Sequence, residues 1–125
     1  MKMMIPLIQY RITKQEKYLI KTALYMALWE NVLDEDTLDI LKDSFDNVKT
    51  KIGMPTNVEA KKMQRYQSPA LVIAGEKDCL FPAERVLYRA KLIIPNCQTV
   101  ELKESGHMHI LPQREMDRIV EFIKE

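Results

Sequence analysis

Over residues 14–52 apolar side chains recur at steps of three and four, the spacing of a helix that buries one face. Leu19, Ala23, Met26, Trp29 and Leu33 form the first stripe. Asp34, Glu35 and Asp36 then place acidic groups where a helix N-terminus favours negative charge. Leu38, Leu41, Phe45, Val48 and Ile52 continue at helical spacing until Gly53 and Pro55 interrupt it. Two helices packed on each other and on a body account for the pattern; the repeat covers too few heptads for a coiled coil.

Past Pro55 the rhythm changes. Residues 58–66 suit one short amphipathic helix, and Ser68-Pro69 opens Ala70-Leu71-Val72-Ile73-Ala74, an unbroken apolar run closed by Gly75. Such a run is the signature of a parallel strand covered on both faces. Pro82 starts the next helix, with Val86, Ala90 and Ile93 on its inner face and Pro95 at its end. Residues 98–102 read as a second strand, with Val100 and Leu102 pointing one way. A final helix from about Gln113 carries Met116, Ile119, Val120 and Ile123 on one stripe. Strand, helix, strand, helix is the wiring of a parallel sheet, so the fold class is α/β: a helical segment followed by a βαβα unit with parallel strands.

Two parallel strands cannot cover their own faces and edges. Further strands come from a complementing chain, or two copies join edge to edge, or the helices fold back over the exposed side. Self-association into a homo-oligomer is the expectation.

Composition narrows the class without adding a motif. The chain has 125 residues, 46% apolar and 30% charged, which suits one water-soluble globular core. Its 19 basic and 18 acidic groups leave a net charge of +1, too little to attract phosphate backbones or anionic lipids, so nucleic acid and membrane are not expected partners. Cys79 and Cys97 form no C-x-x-C pair, which fits a reducing, cytoplasmic compartment. Pro6 and Gln9 cut the N-terminal apolar run short of a signal-peptide core.

The candidate chemistry lies at the two strand ends. After the first comes Gly75-Glu76-Lys77-Asp78; after the second comes Ser105-Gly106-His107-Met108-His109. A histidine accepts a proton from a hydroxyl at neutral pH and returns it to a leaving group if its ring is held in one tautomer, and a carboxylate does that holding. Singly, Asp78 reads as a turn residue, His107 as a loop brace and His109 as a surface histidine. Together, Ser68-Pro69-Ala70-Leu71-Val72-Ile73-Ala74-Gly75-Glu76-Lys77-Asp78 and Ser105-Gly106-His107 resemble the last two strand ends of the α/β-hydrolase superfamily.

The resemblance covers roughly residues 55–125. It implies a partial α/β-hydrolase fold with Asp78 as triad acid and His107 as general base, acid preceding histidine as the family order requires. It also implies that residues 1–54 correspond to a helical cap segment. Met26, Trp29 and Phe45 are candidates to line an apolar pocket there, although packing between helices accounts for them equally.

One family feature is absent. The nucleophile elbow G-x-S-x-G needs glycines four positions apart, and the three glycines, Gly53, Gly75 and Gly106, offer no such pair. The oxyanion hole built on that elbow is missing with it. Ser44 falls on a helix, Ser68 precedes a proline and Ser105 reads as a loop brace. Cys79 adjoins Asp78, whose carboxylate opposes thiolate formation. His107 and His109 form an H-x-H pair, but no third ligand completes a metal site. The expectation is therefore the C-terminal portion of a serine hydrolase of esterase type, needing no cofactor and inactive alone, with a small acyl ester as substrate only in a complete enzyme. The alternative is a noncatalytic, self-associating hydrolase-like module.

Overall fold

The computed structural model describes residues 2–28, 34–47 and 56–124. Trp29, Leu33, Val48, Ile52, Gly53 and Pro55, and with them the junction expected between the helical segment and the α/β unit, lie outside the described residues.

The chain opens with a helix that the apolar pattern does not announce, α1 (Met4–Thr13). Pro6 is no obstacle, because it sits in the first turn, where a backbone N–H would have no intrahelical partner. Lys14 ends α1 in the left-handed conformation, its N–H bonded to Tyr10 O at 2.8 Å. The second helix, α2 (Glu16–Ala27), therefore begins two residues later than the pattern suggests and packs against α1. Tyr10, Leu19, Thr22, Ala23 and Ala27 are buried, and Thr22 satisfies its hydroxyl on Tyr18 O at 2.8 Å.

In α3 (Glu35–Asn47) the expected acidic start is realised: the Asp34 carboxylate accepts from Thr37 N at 2.8 Å. Leu38, Leu41 and Phe45 are half-buried. Asp46 ties α3 to α1, accepting from the Tyr10 hydroxyl at 2.9 Å and from Lys14 Nζ at 2.6 Å. Burial first, and then the neighbouring Asp46 carboxylate, push the Tyr10 phenol up. The short helix expected over residues 58–66 shrinks to α4 (Ala60–Met63).

The α/β unit follows the expected order. Strand β1 (Ala70–Gly75) pairs in parallel with β2 (Cys97–Leu102), Ala70 opposite Cys97 and Gly75 opposite Leu102. Between them α5 (Ala83–Ile93) packs on both strands; Ala83, Ala90 and Ile93 of the helix are buried, as are Ala74, Val100 and Leu102 of the strands. The chain closes with α6 (Gln113–Lys124), which contains no buried residue. One expectation is corrected here. Leu71, Val72 and Ile73 are half-buried rather than covered on both faces, because the described sheet has two strands and α5 is the helix that packs on it.

Candidate active site

The in-register pairing that sets Gly75 beside Leu102 delivers both strand ends to the same edge of the sheet. Glu76 N continues the ladder to Leu102 O at 2.9 Å, and Lys77 N reaches Ser105 O at 3.0 Å. A Cβ at position 75 would lie 2.6 Å from both Ser105 O and Gly106 O, so only a glycine permits this approach.

Side chains lock the two loops further. The Glu76 carboxylate accepts from Glu104 N at 2.9 Å, and Lys77 pairs with the Glu104 carboxylate. Glu104 is in the left-handed conformation, with φ 56°, which an L side chain adopts at a cost. The hydrogen bond from Glu104 N, with Lys103 and Lys77 nearby, holds the Glu76 carboxyl below its usual range.

At the end of this clamp Asp78 Oδ2 meets His107 Nδ1 at 2.9 Å. Asp78 Oδ1 accepts from Leu80 N at 2.7 Å and from Phe81 N at 2.8 Å, closing an Asx turn just before α5. Partial burial pushes the Asp78 carboxyl up; the hydrogen bonds from Phe81, His107 and Leu80 outweigh it and leave the group below the ordinary aspartate value. An ionised carboxylate only accepts, so in a neutral His107 this contact requires the proton on Nδ1. The side chain of Asp78 is 11% exposed and that of His107 29%, so the pair is partly dry. The Phe81 ring lies 5.8 Å from the imidazole.

The other candidates fall into subordinate places. Ser105 donates its hydroxyl to Lys103 O at 3.2 Å, a brace within its own loop. His109 Nδ1 lies 2.9 Å from Gly106 O, a side-chain contact with the backbone of its own loop, and neither histidine lies in a strand. Among the described residues no group of three or more His, Cys, Asp or Glu could hold a metal ion. Burial first, and then Asp78, raise the Cys79 thiol, which disfavours the thiolate at neutral pH. Ser44 lies exposed on α3.

Two hollows in the surface, one along α6 at Arg114, Asp117, Arg118 and Glu121 and one where α5 meets β2, include neither member of the pair. Among the described residues no helix is long and apolar enough to cross a membrane.

Sequence reasoning missed three contributors: the amides of Leu80 and Phe81, the Phe81 ring, and the carbonyl of Met26, which accepts from His107 N at 2.8 Å and Met108 N at 3.1 Å. The turn itself is the reading Asp78 carries when taken singly; the two amides that close it are backbone groups that any residue but proline supplies. The Met26 contact was not to be found either, because every residue type carries that carbonyl.

No family model and no curated protein matches the sequence. Solved structures do match by shape. Naproxen esterase (carboxylesterase NP) from Bacillus subtilis superposes with a TM-score of 0.72 at 20% identity, covering 94% of this chain and 45% of its own. A Bacillus subtilis protein classed provisionally as a hydrolase superposes at 0.75 with 18% identity, covering 93% of this chain and 44% of its own. Bacillus subtilis carboxylesterase CesB gives 0.64 and 20%, covering 86% and 41%. This chain thus spans less than half the length of each. With its strand order, its two loops at one sheet edge and these likenesses, the chain has a partial α/β-hydrolase fold.

Proposed function

We propose that this chain furnishes the acid and the general base of a serine hydrolase acting on carboxylic esters or similar small acyl compounds, the nucleophile being carried by other polypeptide. The observation that supports it is the 2.9 Å contact between Asp78 Oδ2 and His107 Nδ1 at neighbouring parallel strand ends. In this reading His107 Nε2 takes the proton of a serine hydroxyl as its oxygen bonds the acyl carbon. The same proton passes to the alkoxide as the carbon–oxygen bond to the alcohol breaks, and a water molecule repeats the sequence to free the acid. Asp78 stabilises the transient imidazolium. Because the chain has no G-x-S-x-G, it should turn over nothing by itself.

The test combines the purified chain with a polypeptide carrying the remaining strands of the fold and a G-x-S-x-G serine. A fluorophosphonate should leave the lone chain unlabelled and label the mixture, whose ester turnover should fall by several orders of magnitude with His107→Ala. Equal turnover by that variant, or labelling of the lone chain, would sink the reading.

A second reading is a noncatalytic module that pairs with a copy of itself. It draws on the half-buried residues of β1 and on the exposed Met116, Val120 and Ile123 of α6. Sedimentation across a hundredfold range of concentration, for wild type and His107→Ala alike, should show association; a compact monomer throughout would remove it.

A further inference from the structure

The sheet explains how Lys77 and Ser105 come together, but it does not hold the backbone of His107 itself. Its last tie to the loop of residues 103–112 is the bond from Lys77 N to Ser105 O, 3.0 Å. Beyond that point the backbone is gripped from the helical segment. Met26 O, one of the last carbonyls of α2, accepts from both His107 N and Met108 N, at 2.8 and 3.1 Å. Gly106 makes room for this contact: a Cβ there would sit 2.5 Å from Met26 O and 3.0 Å from Leu28 Cγ. Leu28 turns the helix off in the left-handed conformation, φ 53°, with its N–H on Leu24 O. The acid has a matching neighbour, since buried Met3, at the start of α1, places its sulfur 4.0 Å from Cys79 Sγ.

We propose that the last turn of α2 is a positioning element for the acid and histidine: the Met26 carbonyl, seated against the bare Cα of Gly106, sets the backbone of His107 so that its ring meets Asp78. The helical segment and the pair then behave as one unit, and loosening α2 lets the imidazole lose its single tautomer. This rests on the reading of Asp78 and His107 as acid and base.

The readouts are amide hydrogen exchange at His107 and Met108 and the ring-nitrogen shifts of 15N-labelled His107 in its neutral form. Wild type should show slow exchange and an Nδ1-protonated ring. Leu28→Val puts a β-branched side chain where a left-handed backbone is required; it should speed exchange at both amides at least tenfold and shift the ring towards a mixture of tautomers. Leu28→Gly, which suits that backbone, should restore both readouts, and Met26→Ala, which keeps the carbonyl, should change neither. Gly106→Ala should act like Leu28→Val but more strongly; if it does not fold, Leu28→Val decides.

Faster exchange in Leu28→Val with a ring still held in one tautomer would overturn the proposal, and so would unchanged exchange. A wild-type ring without its proton on Nδ1 is a different failure, since it would remove the acid–base reading itself.

Discussion

Helices α5 and α6 look alike in sequence and meet opposite fates. Both follow a strand, both begin at or just after a proline, and both carry an apolar stripe at helical spacing. The first packs on β1 and β2 with Ala83, Ala90 and Ile93 buried, while the second leaves Met116, Val120 and Ile123 exposed. Their loops differ in one respect. Each loop bonds within itself and the two are tied to each other, but the one before α6 also bonds its backbone to α2 through Met26 O. An amphipathic stripe states that a face is to be covered; it does not say by what.

That contrast can be broken or sharpened by measurement. The largest effect should come from Ile93→Ala, which empties space between α5 and the sheet and should cost about 2–4 kcal/mol in urea unfolding. Next, Gly75→Ala forces a methyl group against the Ser105 and Gly106 carbonyls and should cost about 1–3 kcal/mol. A smaller loss, about 1–2 kcal/mol at neutral pH, is expected for Asp78→Asn, which keeps an acceptor for Leu80 and Phe81 but gives up the charge.

Asp78→Asn also tests a pH dependence. Because the folded Asp78 carboxyl lies below its unfolded value, its contribution is fully present above about pH 4–5 and is lost as pH falls through the lowered folded value. Stability measured from neutral pH down to about 2 should fall less steeply in the variant than in wild type. An identical acid limb would show that the loop before α5 owes nothing to this carboxylate. The smallest effect, within about 0.5 kcal/mol, is expected for Ile123→Ala on α6. If it instead matched Ile93→Ala, α6 would be covered in solution and the contrast between the helices would vanish.

How much of this was readable in the residues depends on which atoms make the contact. The run Ala70-Leu71-Val72-Ile73-Ala74 and the stop at Gly75 marked β1 to within one residue, and Pro82 marked the start of α5. Asp78 and His107 were marked by position, since each follows a strand and stands near a glycine. Helix α1 was hidden by Pro6, a breaker inside a helix but harmless in its first turn. The cover of β1 was over-read, because an apolar strand states a demand for burial, and among the described residues β2 and α5 leave Leu71, Val72 and Ile73 half-buried. The grip of α2 on the His107 loop was invisible because it runs through backbone atoms, which every residue shares.

The loop of residues 103–112 is tied at Ser105 O, Gly106 O, His107 N and Met108 N within four consecutive positions. Surface connections commonly absorb insertions and deletions with little harm, but this one has no slack to absorb them. Many of its side chains can be exchanged while its length cannot, so one residue added or removed between Glu104 and His109 should be more damaging than most replacements within it.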